Sequence, residues 1–214
     1  AYNDFYAGQL TELLTGYGEI FECWWDGAGS TEAVYDWERW ARTVRTLQPD
    51  AVIFGSLGAT PYVDVRWVGN EKGVAGKPCY STIDEISLVV ETTSELNSGK
   101  LGGERFIPAE VDVSIRPGWF YSASTDDKLK SVEQLMDIYY SSVGHNGTLL
   151  LNVPADRRGK IPAVDSIRLL EFAQAREEAF STDYARSAEI VTDFVRGGDE
   201  RFGPQNMTDG EYDT

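Results

Sequence analysis

A chain of 214 residues, 42% hydrophobic and 25% charged, is long enough to bury a core as one large domain, or one domain and part of another. With 19 basic against 35 acidic side chains the formal charge is −16, which argues against nucleic acid or an anionic membrane as partner and favours a neutral or weakly charged ligand. Two cysteines and a single histidine, His145, speak against a disulfide framework, a His-rich metal centre and a Ser-His-Asp triad, and no apolar run is long enough to span a membrane.

In chain order, Tyr6, Leu10, Leu13, Leu14 and Tyr17 recur at helical spacing, with Gly18 as a stop. Residues 19–25 read as a short buried strand ended by Asp26-Gly27. Asp36 is a candidate N-cap for a helix with Trp37, Trp40, Val44 and Leu47 on one face, closed by Pro49. A second strand at 51–54 stops at Gly55 and Ser56. Residues 57–104, polar and punctuated by glycine, read as one long loop, a length that in compact domains is functional or disordered. A third strand is predicted at 105–115, and a helix at 131–143 with Val132, Leu135, Met136, Tyr139, Tyr140 and Val143 inward. A fourth strand at 148–153 and a helix at 162–174 follow.

Strands alternating with helices predict a parallel sheet. A closed eight-unit barrel takes about 250 residues, so four units over residues 1–180 are half of a (β/α)8 barrel. A doubly wound sheet is the rival, but neither a G-x-G-x-x-G nor a P-loop pattern is present. The texture changes after about Tyr184: 188–195 is a candidate strand, and residues 181–214 read as a linker and the start of a β-domain, cut in a turn at Asp209-Gly210-Glu211-Tyr212-Asp213-Thr214. The chain begins on Ala1 rather than Met and enters a helical pattern almost at once, so it is expected to be a piece whose front is missing, and the lack of a visible signal peptide says little.

Catalytic groups in parallel barrels sit at the C-terminal ends of strands. Three acids lie there or just beyond: Asp26 behind Trp24 and Trp25, Glu71 in Arg66-Trp67-Val68-Gly69-Asn70-Glu71, and Glu110 after Ile107-Pro108-Ala109. Glycoside hydrolysis needs such a pair, one ionised and attacking the anomeric carbon, one protonated and serving the leaving oxygen, about 5–5.5 Å apart in retaining enzymes. Tryptophan neighbours lower the local polarity and keep an acid protonated, while Arg66 could stabilise an ionised partner or bind a sugar hydroxyl. The plain alternatives stand beside this: Asp-Gly is a common turn, loop acids are usually solvated, most aromatic rings fill cores, and an acid in an apolar strand must face a site or find a partner.

Glu12-Leu13-Leu14-Thr15-Gly16-Tyr17-Gly18-Glu19-Ile20 with Trp24-Trp25-Asp26-Gly27 resembles the nucleophile segment of the α-L-fucosidases of glycoside hydrolase family 29. The segment from Arg66 to Glu71 resembles the acid/base segment of the branch acting on α-1,3- and α-1,4-linked fucose, as do the run from Pro108 to Tyr121 and Leu149-Leu150-Leu151-Asn152-Val153-Pro154. Phe202-Gly203-Pro204 is similar to the start of the β-sandwich that follows the barrel in such enzymes. The resemblance implies an α/β fold: the second half of a TIM-like (β/α)8 barrel at 1–180, then the beginning of a C-terminal β-sandwich at 181–214. It implies Asp26 as nucleophile, Glu71 as acid/base, Trp24 and Arg66 as sugar contacts, Trp119 packed on the sugar, and Glu110 as second choice for acid/base or a site-lining contact. The implied reaction is double displacement with retention and no cofactor, on a fucosylated oligosaccharide, in an extracytoplasmic setting. Family members bind fucose with histidines of the first barrel half, positions that His145 does not match; in its Gly-His-Asn-Gly turn it reads as structural or exposed. An open half barrel is expected to need the missing N-terminal half or self-association, and to be weak or inactive alone. A non-catalytic carbohydrate-binding or assembly fragment, and a different barrel hydrolase, are the competing readings.

Overall fold

The computed structural model describes residues 1–26, 34–55, 59–89, 93–186 and 188–211. Gly27, Ser56 and the closing Tyr212, Asp213 and Thr214, all read as turn formers, lie outside the described residues. The chain divides into two compact units, Ala1–Arg168 and Leu169–Thr214.

Helix α1 (Tyr2–Gly16) buries Ala7, Leu10 and Leu14, one stripe of a 3.6-residue period, and leaves Leu13 exposed. Strand β1 (Glu22–Trp25) leads to α2 (Trp37–Leu47), whose N-cap Asp36 accepts from the Arg39 N–H and whose buried stripe is Trp40, Ala41 and Val44. Strand β2 (Val52–Gly55) follows. The expected long loop then holds regular structure: β3 (Val65–Trp67), β4 (Thr82–Ile83), α3 (Glu85–Val89) and α4 (Thr93–Ser98). The strand expected over 105–115 is two, β5 (Arg105–Phe106) and β6 (Ala109–Ser114), broken at Pro108, which has no N–H to give a ladder. Helix α5 (Val132–Ser142) opens with a capping box between Ser131 and Gln134. Its buried stripe is Leu135, Ile138 and Ser142, whereas Tyr140 and Val143, expected inward, are exposed. Strand β7 (Thr148–Asn152) and α6 (Ala163–Ala179) complete the order.

The main sheet runs β1-β2-β3-β6-β7, every neighbouring pair parallel, so it is a partial (β/α)8 barrel with five strands rather than four. A separate antiparallel pair, β4 with β5, lies in the excursion between β3 and β6. The ladder sorts the side chains by face, since partners in register point the same way. Trp25, Ile53, Ala109 and Val111 belong to the buried clusters, which also take in α1 and α2. The alternate positions, Glu22, Trp24, Phe54, Trp67, Glu110, Asp112, Leu150 and Asn152, share the other face. An apolar outer layer under helices and a mixed aromatic and acidic inner face follow from that alternation.

Past α6 the expected strand at 188–195 is absent: among the described residues beyond Ala179 the regular structure is 3-10 only, at Arg196–Gly198, Glu200–Phe202 and Pro204–Met207. The Thr192 hydroxyl accepts from the Phe194 N–H and donates to the Phe194 carbonyl, satisfying locally what a strand would offer a neighbour. Gly197 and Gly198, with φ of 63° and 65°, then turn the chain through backbone that side-chain-bearing residues avoid. No helix among the described residues is long and apolar enough to cross a membrane.

Candidate active site

The inner face ends in a cleft of about 840 Å³ at the C-terminal ends of the strands, where a parallel barrel places its chemistry. Asp26 directly follows β1, Glu71 lies four residues beyond β3, and both line this cleft with exposed side chains. Trp24, Phe54, Trp67 and Trp119 form aromatic parts of its wall, and Asp112 contributes a third carboxyl. Trp24 lies flat on Phe54, its partner in register, with ring centroids 4.3 Å apart and planes 5° from parallel.

Each of the three cleft indoles donates its N–H to a carboxylate. Trp24 Nε1 donates to Glu110 Oε1 at 2.9 Å, Trp67 Nε1 to Asp112 Oδ1 at 2.8 Å, and Trp119 Nε1 to Glu71 Oε2 at 3.3 Å. The loop bearing Trp119 is fixed from β7, where Asn152 Nδ2 donates both to the Trp119 carbonyl at 3.1 Å and to Ser114 Oγ at 2.9 Å. Beneath that loop Arg116 is fully buried and paired with Asp165, its Nε reaching Oδ2 at 2.8 Å, with Asp126 as a second partner at 2.9 Å.

Glu110 is 3% exposed, and burial, with the neighbouring Glu22 charge behind it, pushes its carboxyl up to about 7. Burial raises Glu22 as well, and its Oε1 has no hydrogen-bond partner among the described residues. Asp112 is raised by burial first, with the charges of Glu71 and Asp26 adding to it. A trio of carboxyls under the aromatic wall is thus held towards the protonated form, while Asp26 and Glu71 stand open to the cleft.

The structure therefore brings Asp26, Glu71, Trp24 and Trp119 together. Glu110 sits below the cleft, against Trp24 rather than among the lining residues. Arg66 is elsewhere. It is fully buried on the outer face, in register with Gly55 and Ala109, and its Nε and Nη2 donate to the carbonyls of Leu96 and Tyr80, each at 2.9 Å. Its Nη1 donates to the Ile107 carbonyl, so the guanidinium pins the segment between β3 and β6 instead of reaching into the cleft. His145 Nδ1 lies 3.1 Å from the Ala75 carbonyl, a structural contact in keeping with its turn. Asp112 and Trp67 were not singled out from sequence; the signal was the alternation Glu110-Val111-Asp112, which puts two acids on one face of an apolar strand.

Known proteins share this sequence and this fold. A family profile described as α-L-fucosidase matches residues 1–175. α-L-Fucosidase 1 of Arabidopsis thaliana is 43% identical over 99% of this chain and 42% of its own length. A crystal structure from Bacteroides thetaiotaomicron, described as a candidate α-L-fucosidase, superposes with a TM-score of 0.90 at 47% identity, over 100% of this chain and 47% of that one. A Ruminococcus gnavus family 29 fucosidase solved in complex with fucose gives 0.82 at 34% identity, over 100% of this chain and 46% of its own. The chain spans about two fifths of the length of the curated relatives it matches. With the family profile covering most of its residues and relatives this similar, the chain belongs to the α-L-fucosidases of glycoside hydrolase family 29.

Proposed function

We propose that this chain carries the two catalytic acids of a retaining exo-α-L-fucosidase that removes terminal α-1,3- or α-1,4-linked fucose from oligosaccharides. The reading rests on one observation above others: Asp26 and Glu71, acids from two different strand ends, line one aromatic-walled cleft. The relative solved with fucose supports the choice of sugar. The likeness of the segments from Arg66 to Glu71 and from Pro108 to Tyr121 to the α-1,3/1,4 branch supports the linkage.

In the first step the Asp26 carboxylate attacks the anomeric carbon while protonated Glu71 gives its proton to the glycosidic oxygen. The carbon–oxygen bond to the aglycone breaks and a fucosyl ester forms on Asp26. In the second step Glu71, now ionised, takes a proton from water, the water oxygen attacks the same carbon, and the ester bond to Asp26 breaks. Two inversions give net retention. Asp26 stands exposed at the cleft, where an attacking oxygen can reach a bound sugar. The wall of indoles offers apolar surface to the sugar's C–H groups and methyl. Family resemblance supports an extracytoplasmic location. With five strands of an eight-stranded design, the chain by itself is expected to be weakly active or inactive until a first barrel half or a second copy completes the site.

The test is mass spectrometry after incubation with a 2-deoxy-2-fluoro-fucosyl reagent, on the chain alone and with a first barrel half added. Label on Asp26 is expected, and Asp26→Ala should abolish it and cut turnover by at least ~10³-fold. Label on another residue, or none in either preparation of folded protein, would replace the enzymatic reading with carbohydrate binding without catalysis.

A further inference from the structure

The two carboxyls of β6 lie outside the pair proposed to do the chemistry, and each is tied to one ring of the cleft wall. Glu110 and Asp112 are two residues apart, so both project from the inner face, and both are almost fully buried while Asp26 and Glu71 are exposed. Burying a carboxyl in a strand flanked by valines costs free energy unless a donor meets it. Each meets a neutral indole N–H, at 2.9 Å for Trp24 on Glu110 and 2.8 Å for Trp67 on Asp112, and Glu110 also shares a hydrogen bond with the Glu22 carboxyl.

An indole N–H can only donate, and a carboxylate is its strongest available acceptor. The contrast with Trp25 is informative. Trp25 packs in the outer core, where its Nε1 is buried with no oxygen or nitrogen acceptor among the described residues, whereas both inner-face indoles of β1 and β3 are given an acid. Trp24 is held twice over, by Phe54 against one ring face and by Glu110 at its edge, and borders the cleft. Glu110 is 3% exposed and lies behind Trp24 rather than among the residues that line the cleft. We propose that Glu110 and Asp112 are positioning residues, which lock the indoles of Trp24 and Trp67 as a rigid surface for the sugar's apolar face. This rests on the fucosidase reading for the identity of the sugar, but the locking itself is a property of this chain. A rigid ring loses no rotamer freedom when a sugar settles on it, so the return is in binding. The raised carboxyl of Glu110 is compatible with this role, because a carboxyl accepts an N–H bond whether or not it is protonated.

The variants are Glu110→Gln and Asp112→Asn, which keep an acceptor oxygen, and Glu110→Leu and Asp112→Leu, which do not. On this chain alone, hydrogen exchange at the indole N–H groups is followed by NMR. Glu110→Leu should speed exchange at Trp24 at least ~10-fold and leave Trp67 unchanged, Asp112→Leu should do the converse, and the amides should change neither. In the assembled enzyme the leucine variants should raise KM for an aryl fucoside about 10-fold with kcat changed less, and Trp24→Phe combined with Glu110→Leu should be no worse than the more severe single change. Unchanged exchange in folded leucine variants overturns the proposal. So does a fall of about 100-fold or more in kcat for Glu110→Gln, rescued by azide, which would make Glu110 the acid/base. Failure of the fucosidase reading would appear separately, as absence of label on Asp26 while the exchange pattern stands.

Discussion

Glu110 makes a prediction that needs no substrate. Its carboxyl is raised from 4.5 to about 7 in the folded chain, chiefly by burial. A raised carboxyl pKa means the folded state holds the proton more tightly than the unfolded state. The stabilisation is complete below about pH 4.5 and is lost as pH rises through about 7. Glu22 and Asp112 are raised in the same direction, so the slope has one sign for all three carboxyls, and Glu22 and Glu110 titrate as a pair. The melting temperature should therefore fall between pH 5 and pH 8, by the equivalent of up to about 3 kcal/mol for Glu110. Glu110→Gln should flatten that slope, and an unchanged slope in calorimetry would show that Glu110 is not the group responsible. At this scale a motif marks a residue without fixing which way its side chain points. Asp26, Glu71 and Trp24 were marked by their segments and arrive at one cleft. Arg66 points away from the cleft for a physical reason: nothing in its own segment marks 65–67 as a strand, and only in a strand do neighbours face opposite ways. Once Val65–Trp67 is a strand, an inward Trp67 forces Arg66 outward.

Among the elements, the β6–α6 junction supports the wall nearest Glu71. Arg116 follows β6 by two residues, and Asp165 lies in the first turn of α6, within the first unit. Both side chains are fully buried and their pairing is two-pronged, through Nε–Oδ2 at 2.8 Å and through Nη2–Oδ1. Replacing such a pair by apolar groups can be neutral, but removing one partner leaves a buried charge. Asp165→Ala should cost about 3 kcal/mol, the low end for a broken buried pair because Asp126 still serves Arg116. Chemical denaturation measures this, and a loss below about 1 kcal/mol would mean that Asp126 carries the pairing. Element existence was readable wherever the periodic pattern was long, as in α2, α5 and β7. It was not readable for β3, three residues with a charge at the centre, whose strand state comes from the ladders of β2 and β6 on either side. Periodicity in one segment cannot report a partner elsewhere in the chain. The second unit shows the converse, since 188–195 has strand-like composition but no neighbour to pair with among the described residues.

For the whole molecule, the sheet's two ends decide behaviour in solution. β1 pairs only with β2 and β7 only with β6 among the described residues, so each presents a row of backbone donors and acceptors. The inner face adds apolar surface, with Trp24 and Leu150 each more than a third exposed. Barrels remove such edges by closure, and three further strands would supply it here. The net charge of −16 opposes close association of identical chains and is screened by salt. Association between copies should therefore strengthen with ionic strength, whereas a complementary barrel half offers matched strands and suffers less of that repulsion. Analytical ultracentrifugation of this chain at low and at 0.5 M salt, with and without a first barrel half from the Bacteroides thetaiotaomicron relative, measures both. The expected outcome is weak, salt-promoted self-association, displaced by a one-to-one complex of higher melting temperature that takes the fluoro-fucosyl label on Asp26. A chain that stays monomeric at every salt, gains no stability from the added half and is labelled unaided would mean that five strands hold a working site without closure, and that the edges are protected by the chain itself.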